Sequence, residues 1–131
     1  MNGDECRVLP RLRDVLCRRE GLIAAYLFGS RADGSATEAS DFDIAVLFGR
    51  PLPLQEQLRL EDELALELGR TVDLVDLRTA DPFLALAILR GTRFLVQDPV
   101  AADEYELYVL RRAGDLEMLE RERRALLLEA K

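Results

Sequence analysis

The chain contains no histidine and no tryptophan, and only two of its residues are cysteine. The missing histidine removes Ser-His-Asp hydrolysis, Cys-His proteolysis and histidine-ligated zinc catalysis. Two cysteines, Cys6 and Cys17, fall short of the about four ligands of a structural zinc site, so both are expected as free thiols. No apolar run approaches the ~20 residues that span a bilayer, and the polar start Met1–Asp4 lacks the apolar stretch of a signal peptide. A cytoplasmic protein without membrane contact is expected. Basic charge is also short: 18 Lys and Arg face 25 Asp and Glu, for a net charge of −7. An acidic surface repels a phosphate backbone, which argues against a direct nucleic-acid partner. The arginines at Arg111, Arg112, Arg121, Arg123 and Arg124 are interleaved with Glu117, Glu120 and Glu122, the pattern of a solvated helix face. Any chemistry must therefore rest on carboxylates and metal ions.

What remains suits one domain: 131 residues, 49% hydrophobic and 33% charged. A helix is expected from Pro10 to Glu20, stopped by Gly21. Leu22–Phe28 (LIAAYLF) and Phe42–Phe48 (FDIAVLF) read as buried strands, with a polar loop from Gly29 to Ser40 between them. Leu54–Leu68 is a second helix, with Leu60, Leu64 and Leu68 on one face and Gly69 at its end. Thr71–Leu77 (TVDLVDL) reads as a third strand. Asp81-Pro82 is a helix cap ahead of Phe83–Arg90, and Thr92–Gln97 is a fourth strand. A helix from about Ala101 to Ala130 is expected to break near Gly114-Asp115. This order predicts an α/β (α+β) fold, with a single mixed sheet of about four strands and helices packed on it. Residues 1–131 form one domain, and residues 99–131 are a helical extension.

The informative segment is Gly29-Ser30-Arg31, nine residues, then Asp41-Phe42-Asp43. A glycine directly after a buried strand lets backbone amides approach a ligand, and Ser30 adds a hydroxyl, as a phosphate cradle requires. Asp41 and Asp43, at i and i+2, point to one face while Phe42 turns to the other. Two converging carboxylates hold Mg²⁺ together with substrate phosphates. A third acid is expected from TVDLVDL. Asp73 and Asp76, three apart, face opposite ways in a regular strand, so only one belongs to the site. Asp73, flanked by Val72 and Leu74, is the first choice, and a bulge would invert it.

Gly29-Ser30, ten residues and Asp41-x-Asp43 resemble the signature of the DNA-polymerase-β-like nucleotidyltransferases. The Gly-Ser-Arg opening, the VDLVDL strand and ILRGTRFLVQDP, followed by a long helix with Tyr105 and Tyr108, resemble the minimal members (MNT), in particular MntA-type antitoxins encoded beside HEPN-domain ribonuclease toxins. The resemblance implies that Asp41, Asp43 and Asp73 are catalytic and bind Mg²⁺ ions, and that Gly29 and Ser30 hold the ATP phosphates. Arg31 would steady the loop or touch phosphate. The acceptor it implies is a tyrosine of a HEPN toxin, silenced when AMP is attached, within a homo- or hetero-oligomer. Phe42 and Ile44 depart from the commoner residues there but keep the apolar, strand-forming character, whereas Glu38 adds negative charge near the phosphates.

Two other readings stand beside this one. A small-molecule nucleotidyltransferase, of the kind that modifies aminoglycosides, usually carries a substantial second domain, and here only about thirty residues follow the core. A non-catalytic antitoxin acting by contact alone would have no need of three converging carboxylates, which are costly to bury.

Overall fold

The computed structural model describes residues 3–29, 31 and 41–129. Among them run α1 (Gly3–Leu16), β1 (Leu22–Phe28), β2 (Phe42–Phe48), α2 (Leu54–Leu68), β3 (Val72–Asp76), α3 (Pro82–Leu89), β4 (Thr92–Val96) and α4 (Pro99–Glu129). The four strands form one mixed sheet in the order β3-β2-β1-β4. β1 pairs antiparallel with β2 and with β4, and β2 pairs parallel with β3 across the α2 crossover. Parallel neighbours need such a crossover, and α2 supplies it.

β1 is buried at every residue, because helices cover both sides of the sheet. On one side α1 and α2 pack against β2: Leu12, Leu16, Leu60 and Leu64 meet Phe42, Ile44 and Val46. On the other side α3 and α4 pack against the alternate residues: Ile88, Ala102 and Val109 join Tyr26, Ala45 and Leu47. Period-two alternation thus sorts β2 into two cores. Asp43 belongs to the series of Ala45 and Leu47, which sends it to the α3/α4 side.

The ends of the elements follow local chemistry. Gly69 (φ 64°) closes α2 in the left-handed region, its N–H donating to Ala65 O. The Asp81 carboxylate accepts from the N–H groups of Phe83 and Leu84 and caps α3, with Pro82 in the first turn. Asp98-Pro99 repeats the device at the start of α4, where Asp98 Oδ1 accepts from Ala101 N at 3.1 Å.

Two expectations are corrected. α1 starts at Gly3, runs through Pro10 and stops at Leu16, instead of spanning Pro10–Glu20. Val8 and Leu9, ahead of the proline, are buried with Leu12, Val15 and Leu16, so one continuous apolar face outweighs the hydrogen bond that Pro10 forfeits. α4 is continuous from Pro99 to Glu129, with no break at Gly114-Asp115. An exposed glycine inside a helix costs only about 1 kcal/mol, which a 31-residue helix absorbs. At 1.5 Å per residue α4 is roughly 46 Å long, about twice the length of a seven-residue strand. Its last described buried side chain is Ala113. No helix among the described residues is long and apolar enough to cross a membrane. Cys17 is a free, exposed thiol; the side chain of Cys6 lies outside the described set, as do Ser30, Glu38 and most of the expected loop.

Candidate active site

The site is built where β1 ends and where β2 and β3 begin. β1 delivers Gly29, whose φ of 72° is a left-handed turn that side-chain-bearing residues avoid. A Cβ at Gly29 would overlap Asp43 Oδ2, with Asp43 Cγ only 3.2 Å away. The Asp43 carboxylate therefore lies directly over the glycine, in the space that any other residue would fill. The antiparallel register explains the contact, because Asp43 is the cross-strand partner of Phe28.

β3 supplies the third acid. In the parallel ladder Asp43 is level with Asp73. Val72 and Leu74 enter the α1/α2 core, and Val75 packs toward the α3/α4 core, so Asp73 shares a face with Asp43. Asp41, one residue before β2, is exposed, as is Asp73, while Asp43 is half-buried. Burial first, then the charges of Asp73 and Asp41, push the Asp43 carboxyl above its ordinary range. The three carboxylates share a strand edge without closing on one point. Among the described residues no three acidic, histidine or cysteine side chains stand at metal-holding spacing.

Asp76 goes elsewhere. It is only 1% exposed, on the opposite face of β3. Its carboxylate accepts from Leu52 N at 2.8 Å and Arg78 N at 3.0 Å, tying the β2–α2 loop to the end of β3. A buried acid paired with backbone donors is a structural brace.

Arg31 is also buried, with its guanidinium carbon 4.3 Å from the centroid of the Phe42 ring. Phe42 belongs to the α1/α2 core, so this contact draws Arg31 away from the carboxylate face. The sequence marks Gly91 only as the stop of the helix before it and misses its contact with β1. Gly91, between α3 and β4, is wedged against the end of β1: a Cβ there would overlap Leu27 O and lie 3.0 Å from the Phe28 Cα. The glycine in ILRGTRF was the available signal, but its contact lies more than sixty residues back along the chain.

A glycine turn at a strand end, a paired aspartate entrance to the next strand and a level aspartate on the parallel neighbour define a minimal nucleotidyltransferase domain. The chain belongs to the polymerase beta nucleotidyltransferase family, whose model matches residues 11–99. It is similar to the protein adenylyltransferase MntA of Shewanella oneidensis, with 32% identity over 124 residues, 95% of this chain and 85% of the relative. Solved structures agree over nearly the full length. A crystal structure of a toxin–antitoxin with AMP-PNP has 30% identity and a TM-score of 0.70, covering 96% of this chain and 97% of that one. A tri-AMPylated Shewanella oneidensis HEPN toxin in complex with its MNT antitoxin has 28% identity and a TM-score of 0.64, covering 97% and 95%. The enzyme class, a nucleotidyltransferase, follows from family and fold together.

Proposed function

We propose that this nucleotidyltransferase moves AMP from ATP to a tyrosine of a HEPN-domain ribonuclease and so acts as its antitoxin. The observation that carries the proposal is the level pairing of Asp43 with Asp73 on one face, above Gly29, in a chain that matches a protein adenylyltransferase along 95% of its length.

The donor set fits a hard divalent cation. Asp41, Asp43 and Asp73 offer only oxygen, and the side-chain-free surface of Gly29 leaves the Asp43 carboxylate room above it. These three residues would hold Mg²⁺, which when bound neutralises charge on the triphosphate and the leaving diphosphate. The Gly29 turn and Ser30 bind the phosphates through amides and hydroxyl. The tyrosine oxygen attacks the α-phosphorus, the bond from that phosphorus to the β-phosphate oxygen breaks, and diphosphate departs. Asp73, exposed at the mouth of the site, takes the phenolic proton. The AMP left on the toxin is a bulky anion where RNA phosphate would lie, which suppresses RNA binding.

The test is direct. The protein is incubated with Mg²⁺, ATP and a cognate HEPN protein, and the intact masses of both chains are read. One or more AMP masses on the HEPN chain, lost in the Asp41→Asn/Asp43→Asn double variant, is the expected result. A stable complex without mass gain, formed equally by the double variant, would leave an antitoxin that works by contact alone.

A further inference from the structure

Phe42 stands between the two aspartates at the entrance of β2, and its ring is fully buried on the side away from them. Two guanidinium groups address that ring: Arg31 at 4.3 Å and Arg70 at 5.9 Å from its centroid. Arg31 is 1% exposed and heads the largest fully buried side chains. The Phe42 N–H donates to Thr71 O at 3.1 Å. These contacts join three separate stretches of chain, and each stretch carries one part of the site. Arg31 stands two residues after Gly29, Phe42 opens the strand bearing Asp43 directly after Asp41, and Arg70-Thr71 lead into the strand bearing Asp73.

We propose that Arg31, Phe42 and Arg70 form a clamp that fixes these three stretches relative to one another, making Arg31 and Phe42 positioning residues for nucleotide binding. The clamp lies on the α1/α2 side of β2, while the carboxylates emerge on the α3/α4 side, so Arg31 acts through Phe42 and touches no phosphate. Burying a cation is costly, and a desolvated contact with an aromatic face offsets part of that cost. A planar guanidinium covers the ring as an ammonium cannot, so lysine is not a conservative replacement at position 31. The inference rests on nucleotide binding at the carboxylate end.

Isothermal titration of ATP with Mg²⁺ is carried out on the wild type, Arg31→Lys, Phe42→Leu and the double variant, each checked by thermal melting to be folded at the working temperature. Each single variant is expected to weaken ATP binding roughly tenfold to a hundredfold, the scale of an ångström-sized misplacement. The double variant is expected to be no weaker than the worse single, because both changes open the same clamp. Arg70→Leu, at a half-buried position, is the milder probe should Phe42→Leu fail to fold, and it is expected to weaken ATP binding several-fold. Wild-type affinity in Arg31→Lys, or effects of Arg31→Lys and Phe42→Leu that simply add, would overturn the clamp in favour of direct phosphate contact. Lower melting temperatures with unchanged ATP affinity would overturn it in favour of a purely structural stack. A wild type that takes up no ATP, while melting normally, overturns the functional reading itself and the clamp with it.

Discussion

Replacing Gly29 by alanine separates backbone strain from site geometry, because the chain carries its own controls. Gly21, Gly29 and Gly69 all have positive φ, at 82°, 72° and 64°. Alanine in that region costs about 1–2 kcal/mol wherever it is placed. Around Gly21 and Gly69 a Cβ meets nothing within 4 Å, so strain is the whole cost there. At Gly29 the Cβ overlaps Asp43 Oδ2 and crowds its Cγ at 3.2 Å, so the carboxylate must move. Gly21→Ala and Gly69→Ala should lose about 1–2 kcal/mol in denaturant unfolding, and Gly29→Ala at least as much. Only Gly29→Ala should also lose transfer activity, by roughly a hundredfold, the usual consequence of misplacing a reacting group by an ångström. The assay is the initial rate of AMP transfer read by mass, at a temperature where all three variants are folded. Equal rates in Gly29→Ala and Gly69→Ala would refute the reasoning, for they would show that the Asp43 carboxylate does not depend on the empty space at Gly29.

Two further outcomes are expected. Asp73→Asn and Asp76→Asn should part company: the first lowers transfer by about 10²–10⁴-fold, as loss of a general base does, and barely changes stability. The second loses about 1.5–3 kcal/mol, the worth of a hydrogen bond to a charged group, and transfers AMP near the wild-type rate wherever it is folded; the opposite assignment of losses would exchange their roles. Asp43 predicts a pH dependence. Its folded-state carboxyl is raised above the ordinary range, so the folded chain keeps this proton to higher pH than the unfolded chain does. Its contribution to stability is then fully present below the ordinary carboxylate pKa and is lost as pH rises through the raised folded value. In EDTA, Asp43→Asn should flatten the stability profile across that window and melt somewhat higher than wild type at neutral pH, and a lower melting temperature there would count against the repulsion.

Much of the architecture was legible because local signals and burial agreed. Leu22–Phe28 and Phe42–Phe48 are short apolar runs between turn residues, and Leu54–Leu68 ends on a glycine in the left-handed cap it favours. Asp81-Pro82 announced its helix by the same chemistry that caps it. The misses come from reading a proline and a glycine as helix boundaries without knowing their surroundings. Pro10 reads as a helix start until the burial of Val8 and Leu9 is known. Gly114 reads as a break, but nothing crowds it and the helix passes through. At the site, the spacing of Asp41 and Asp43 fixes a shared face by strand periodicity alone. The choice of Asp73 over Asp76 depends on the register of β3 against β2, and the role of Asp76 depends on Leu52, 24 residues away. The stacking of Arg31 on Phe42 joins residues eleven apart and is a contact that strand periodicity does not announce.

The level pairing of Asp43 with Asp73 bears on how such a domain tolerates change. Twenty-nine residues lie between the two acids, yet their alignment is held by the backbone ladder of two neighbouring strands and not by the path that connects them. The outer face of α2 can be rewritten or recharged without disturbing the pair, whereas Leu52 and Arg70, at the two ends of the crossover, are tied to the sheet. A single residue inserted between Val72 and Asp73 would instead shift the acid out of step and turn its side chain through the sheet. Drift across such a lineage is therefore expected to gather in the crossover and to be all but forbidden in two short stretches of strand.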